Sequence, residues 1–298
     1  MIYHEPVLLK ESIEGLNINP LGIYVDVTFG GGGHSGEILK KLKKGKLFAF
    51  DQDEETIKST INDERFVLIS KNFKYIKNTL KMYNVIQVEG VLADLGISSH
   101  QIDSPDRGFS QRFNSGLDMR MDKNTGLTAK KIINTYTEKK LKEMFSSYGE
   151  VRNASKLSSL IVKARKDTKI NTVDKFKKVI NPCVRYDKQN KYFARVFQAL
   201  RIEVNDELNA LEDFLSQCKD IIKTGGRLAV ISYHSLEDRR VKNFIKSGNV
   251  NGVVEKDFYG KPIVSFKAIN KKPVYPTKEE IAVNSRARSA KLRVAKKL

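Results

Sequence analysis

The sequence predicts an α/β fold: a doubly wound, Rossmann-like sheet carrying an inserted all-helical segment. Three observations predict it. Four apolar, β-branched runs alternate with helix-period runs before residue 95. The first of them closes on a cluster of glycines with a helical pattern directly behind it. From Thr128 to about Asn205 the pattern is helical only, and a strand pattern then resumes at Gly226.

A short helical segment beginning at Val7 precedes the first strand, 23–28, which leads to a helix over 34–43. Between them stand Gly30, Gly31, Gly32 and Gly33; glycine lets the chain turn sharply and lets a ligand approach the main chain with no Cβ in the way. Gly31, Gly33 and Gly36 fit a G-x-G-x-x-G spacing in its strand–turn–helix setting, and the helix start offers unpaired N–H groups to whatever lies over the loop. The second strand, 46–51, ends at Asp51, 20 positions beyond Gly31, where a carboxylate can accept hydrogen bonds from ribose hydroxyls. Glycines, flanking elements and Asp51 together point to a nucleoside-containing cofactor.

The alternation continues through a helix over 54–61, a strand over 66–70, a helix over 73–82 and a strand over 88–94 that ends at Asp94. Right-handed crossovers put the loops after the first, second and fourth strands on one sheet edge, where ligands bind. Residues 95–122, rich in Gly, Ser, Asp and Arg, are long for a loop in a compact domain unless they serve function. The helical stretch that follows reads as an insertion. A helix near 206–222 returns to a strand over 226–233, Val253-Val254 and the stretch 262–269 could form a closing hairpin, and a basic tail over 284–293 ends the pattern. Two domains are expected, residues 1–104 with 206–298, and the insertion 105–205.

Charge narrows the partner. The chain of 298 residues has a net charge of +19, unevenly placed. Residues 1–104 carry 12 basic and 14 acidic side chains, 105–213 carry 23 and 14, and 214–298 carry 19 and 7. A lysine-rich proteome would have made the first third basic too, so the asymmetry favours a polyanionic partner met by the later two thirds. No apolar run approaches the roughly 20 residues that cross a bilayer, so no membrane partner is expected. The N-terminus reads as neither a signal nor a transit peptide, and Cys183 and Cys218 form no C-x-x-C pair. A cytoplasmic setting is the expectation. A homodimer is compatible with the sequence, which leaves the oligomeric state open.

Four histidines, His4, His34, His100 and His234, lie near glycine, serine or acidic clusters; no pair has i, i+4 spacing, so no metal site is expected. Asp94-Leu95-Gly96-Ile97-Ser98-Ser99 has two equal readings, an acceptor for an exocyclic amine or a capped helix start with Ser98 or Ser99 as N-cap. Ser232 to Arg240 holds a serine, a histidine and carboxylates, but without a nucleophile elbow it reads better as a helix start at Ser235.

The motifs Val25-Asp26-x-Thr28-Phe29-Gly30-x-Gly32-Gly33-His34-Ser35, Asp94-Leu95-Gly96-x-Ser98-Ser99, Arg107-Gly108-Phe109-Ser110 and Leu117-Asp118-Met119-Arg120-Met121 belong together. With Phe197 to Asn205, Ser232-x-His234-Ser235-Leu236-Glu237-Asp238-Arg239 and Arg286-x-Arg288-Ser289-Ala290-Lys291-Leu292-Arg293, the chain resembles the bacterial 16S ribosomal RNA cytosine-N4 methyltransferases (the RsmH or MraW family). The motifs run from His4 to Arg293; Gly31 and Ser285 are minor departures from the family pattern.

The resemblance implies a class I S-adenosylmethionine-dependent methyltransferase fold whose helical insertion recognises substrate. It implies N4-methylation of one cytidine in the decoding centre of 16S rRNA, within the small ribosomal subunit. It further implies that Gly32, Gly33 and His34 hold the methionine end of the cofactor, Asp51 the ribose hydroxyls and Phe73 the adenine, with Asp94 and Gln101 completing the pocket. Methyl transfer to an amine is a one-step displacement, so positioning should carry most of the catalysis. Asp94 is the candidate that accepts a hydrogen bond from cytosine N4, and the base must leave any stack to reach it. Arg107, Arg112, Arg120, Arg286, Arg288 and Arg293 are candidate phosphate contacts, each weighed against a salt bridge. A nicotinamide-dependent oxidoreductase and a non-enzymatic RNA-binding protein are the rival readings.

Overall fold

A computed structural model describes residues 6–55 and 60–298. His4 and the middle of the helix expected over 54–61 lie outside them. The chain forms two compact units, one of residues up to Gly96 together with Leu208–Leu298, the other Ile97–Glu207.

The first unit is built on β1 (Ile23–Asp26), β2 (Lys46–Asp51), β3 (Phe66–Ser70), β4 (Val88–Asp94), β5 (Ile222–Ser232), β6 (Phe266–Ala268) and β7 (Lys291–Lys297). Their order is β3-β2-β1-β4-β5-β7-β6. The first five pair in parallel, and β7 runs antiparallel to both β5 and β6. Strand order reverses between β1 and β4, which opens a crevice at their carboxyl ends.

The period-2 pattern of each strand sorts side chains onto two faces. Tyr24, Leu47, Leu92, Ala229, Ile231 and Leu292 share a core with Leu16 of α1 (Leu9–Leu16) and with Ile38 and Leu39 of α2 (Gly33–Lys41). Val25, Phe48, Phe50, Val91 and Val230 share the other core with α3 (Ile76–Met82), α10 (Glu207–Ile221) and α11 (Ser235–Ser247).

Two expectations are revised here. The stretch 284–293 is no tail: from Lys291 it becomes β7, registered on β5 by Ile231 opposite Leu292. Its lysines hid the strand, because Leu292, Val294 and Ala295 are buried while Lys297 lays its stem along the sheet, its Nζ 5.7 Å from the Phe266 ring centroid. The closing hairpin expected between Val253-Val254 and 262–269 forms only in part: Lys256 meets Pro262 in an antiparallel bridge and Ile263 N donates to Glu255 O, while β6 pairs with β7.

The second unit contains α4 (Ser99–Asp103), α5 (Ala129–Thr135), α6 (Glu138–Gly149), α7 (Ala154–Asp167), α8 (Val173–Ile180) and α9 (Gln189–Asn205). Leu141, Phe145, Leu157, Ile161, Phe176, Val196 and Leu200 form its core. Thr128, Thr137 and Thr172 start α5, α6 and α8, each hydroxyl accepting from the backbone N–H three residues on. The unit starts at Ile97 rather than at 105, since Ser98 and Gln101 form a capping box that opens α4.

The glycine- and arginine-rich stretch ahead of α5 is folded onto this core, with Leu117, Met119 and Met121 buried. Asn205 brackets it, accepting from Met121 N at 2.7 Å and donating to Met119 O at 2.8 Å. No helix of the described residues is long and apolar enough to cross a membrane.

Candidate functional site

The carboxyl ends of β1, β2 and β4 each carry an aspartate, and local hydrogen bonds fix all three. Asp26, buried, accepts from Ser35 Oγ at 2.7 Å and Thr28 N at 3.1 Å, which clamps the strand end to the first turn of α2. Burial raises its pKa above the ordinary carboxylate value. Thr28 Oγ1 in turn accepts from Asp94 N at 2.6 Å, so the ends of β1 and β4 are tied together.

The turn between β1 and α2 depends on glycine at three places. Gly30 and Gly32 have φ of 53° and 77°, in the left-handed region, and a Cβ on Gly32 would lie 2.9 Å from the Phe29 ring. Gly33 packs on Pro6, whereas a Cβ on Gly31 would meet nothing within 4 Å, so the loop offers its backbone to open space there. The turn thus needs glycine at Gly30 and Gly32 for their φ and at Gly33 for its contact with Pro6, where a Cβ would run into the ring. Of the spaced set Gly31, Gly33 and Gly36, only Gly33 is sterically required.

Asp51 accepts from Gly30 N at 2.8 Å through Oδ2 and from Asp53 N at 2.9 Å through Oδ1. Burial pushes its pKa up to about 6 against the pull of those donors. His34, in the first turn of α2, lies with Nε2 3.1 Å from Val7 O and Nδ1 3.9 Å from Asp94 Oδ2. Burial lowers its pKa, while the Asp94 carboxylate and the Val7 carbonyl work the other way.

Asp94 is likewise raised to about 6, by burial first, with His34 and a hydrogen bond from Tyr233 working the other way. The Tyr233 hydroxyl donates to Asp94 Oδ1 at 2.8 Å. Sequence reasoning missed Tyr233. It follows β5 directly, and the register of Asp94 on Ile231 brings it beside the end of β4. Its own N–H donates to Glu237 Oε2 at 2.9 Å, and Gly96, at φ 112°, passes against its ring. The stretch 232–240 is thus the start of α11, with Glu237 folded back on its first turn, as the non-catalytic reading expects.

The remaining candidates divide. Phe73, half-buried, packs edge-on against Phe214 with centroids 5.4 Å apart, just before α3. Gln101 belongs to the second unit, where it is buried in the capping box of α4. Arg112 and Arg288 are exposed and Arg286 is half-buried.

Three arginines are withdrawn from the phosphate-contact set by their geometry. Arg107, 2% exposed, donates from Nη2 to the carbonyls of Arg120 and Met121, both at 3.0 Å. Arg120 holds Asp118 through Nε and Nη2 at 2.7 and 2.8 Å and spends Nη1 on two carbonyls. Arg293 holds Asp238 through Nε at 2.6 Å and Nη2 at 3.2 Å, joining β7 to α11.

The sheet order with its antiparallel β7, a glycine turn opening α2, and aspartates at the ends of β1, β2 and β4 define a class I S-adenosylmethionine-dependent methyltransferase fold. The model of the MraW methylase family matches residues 1–298. Proteins named ribosomal RNA small subunit methyltransferase H are similar over nearly their full lengths. That of Christiangramia forsetii is 53% identical, covering 100% of this chain and 99% of the relative. That of Cytophaga hutchinsonii is 54% identical, covering 99% and 100%, and that of Bacteroides thetaiotaomicron 51%, covering 100% and 98%. The chain belongs to the MraW methylase family.

Proposed function

We propose that the chain transfers a methyl group from S-adenosylmethionine to the N4 amine of one cytidine in the decoding centre of 16S rRNA. Membership of a methylase family and relatives named for the small-subunit rRNA support the reaction class and the substrate; the N4 position rests on the motif resemblance. The observation that carries the chemistry is Asp94: a half-buried carboxylate at the end of β4, steered by Tyr233 and next to the glycine turn.

The donor set fits the cofactor. Asp51 and Asp94 are acceptors for hydroxyls and amines, and the open face at Gly31 leaves room for a ligand against the main chain. In this reading Gly32, Gly33 and His34 hold the methionine end, Asp51 the ribose, Phe73 the adenine, and Gln101 joins on the resemblance alone. When bound, S-adenosylmethionine supplies an activated methyl group on sulfur. Asp94 then orients the amine by accepting its hydrogen bond, and a carboxylate with a pKa of about 6 is a better proton acceptor near neutral pH than an ordinary aspartate.

The test is methyl transfer from labelled S-adenosylmethionine to purified small subunits, with nucleoside analysis of the 16S rRNA. Label in N4-methylcytidine is expected, and Asp51→Ala should weaken cofactor binding about tenfold or more by titration calorimetry. Binding of NAD with no methyl transfer would sink the proposal.

A further inference from the structure

Between α11 and β6 the chain builds a short hairpin that nothing above uses. Asp257 N donates to Lys261 O at 2.9 Å and Ile263 N to Glu255 O at 2.8 Å, while Gly260, at φ 78°, closes the tip by donating to Asp257 O. Asp257 Oδ1 accepts from both Tyr259 N and Lys261 N, each at 2.9 Å, so the tip is held by its own side chain. The hairpin's approach is tethered to the end of α11, where Asn243 Nδ2 donates to Val250 O and Asn249 Nδ2 to Val253 O.

This ordered tip presents two aromatic rings to solvent. Phe258 is 97% exposed and Tyr259 84%, with ring centroids 5.6 Å apart and planes at 87°. Val253, Val254 and Ile263 beside them are exposed as well. Hydrophobic side chains gathered on a surface in this way mark an interaction site.

Charge selects the partner. From residue 246 to 272 there are six lysines (Lys246, Lys256, Lys261, Lys267, Lys271, Lys272) against Glu255 and Asp257, and the Asp257 carboxylate is already engaged in the turn. Aromatic faces set among cations are what unpaired nucleotides bind to: bases stack on the rings and phosphates meet the lysines.

We propose that the Phe258–Tyr259 hairpin is a docking element for single-stranded RNA, with unpaired bases stacking on its two rings. The inference deepens the proposed function, since it assigns this element of the chain to the RNA substrate.

Its test is fluorescence anisotropy with a labelled single-stranded RNA of mixed sequence, comparing the full chain with F258A/Y259A. The double variant should bind about tenfold more weakly per stacked base lost, with melting temperature and S-adenosylmethionine affinity unchanged. Phe258→Tyr, which keeps a stacking face, should bind as the unaltered chain does. K256A/K261A should weaken binding and lower the slope of log K against log salt by roughly 1.4. Equal RNA affinity in F258A/Y259A overturns the proposal. So does a concentration-dependent dimer in the unaltered chain that the variant loses, with RNA affinity intact, or loss of binding to whole subunits but not to the RNA. If the unaltered chain binds RNA through these rings yet transfers no methyl group, the methyltransferase proposal fails and the docking element stands.

Discussion

Asp94 is raised to about 6 by burial, and Tyr233 works against that rise by donating a hydrogen bond to the ionised form. The pair therefore sets where an Asp94-dependent activity is lost on acidification. The deprotonated carboxylate is the acceptor, so turnover should fall as pH drops through about 6. Tyr233→Phe keeps the ring against Gly96 but removes the donor, which makes the carboxylate harder to ionise. The acid limb of the kcat profile should then move to higher pH, and an unmoved limb would show that Tyr233 does no more than pack. Asp51 and Asp94 could be read from sequence because acidic residues closing apolar runs mark sheet-edge positions in an α/β fold. Tyr233 could not, because its partner lies 139 residues away and only the register of β4 on β5 joins them. Arg120 is the opposite case: the carboxylate that takes up its guanidinium, Asp118, is only two residues off.

Among the elements, strands with a free alternation or an apolar run were legible, and so was the turn before α2. The sequence marked that turn by glycine content, but spacing does not encode that Gly30 and Gly32 bear positive φ or that Pro6 packs on Gly33. The edge built by β7 and β6 was not legible: three lysines and an arginine in Lys291–Lys297 outweigh its alternation in any compositional reading. Its burial makes it structural. Leu292 is buried in the core of the α1 and α2 face, opposite Ile231. Leu292→Ala should cost roughly 3–5 kcal/mol, the transfer term plus the cavity left in a sheet that cannot close over it. Denaturant unfolding followed by circular dichroism reads this directly, and a loss under about 1 kcal/mol would mean that β7 is not an integral strand.

Over the whole molecule, the excess of +19 does not translate into phosphate contacts one for one. Arg120, Arg201, Arg240 and Arg293 are paired with carboxylates, and Arg107 with carbonyls, so much of the arginine charge is spent inside the two units. What remains for RNA is largely lysine, together with exposed arginines such as Arg112 and Arg288. Phosphate contacts release counterions, and each one adds close to one to the slope of log K against log salt. RNA binding should accordingly weaken steeply between low and physiological salt. Arg112→Ala and Arg288→Ala should each lower that slope by about one while leaving stability almost unchanged. Arg293→Ala should do the reverse, because its side chain is 12% exposed and holds Asp238: the melting temperature should drop while the slope stays. A slope that fell with Arg293 and ignored Arg112 and Arg288 would mean that the side chains facing RNA are not those the described structure leaves exposed.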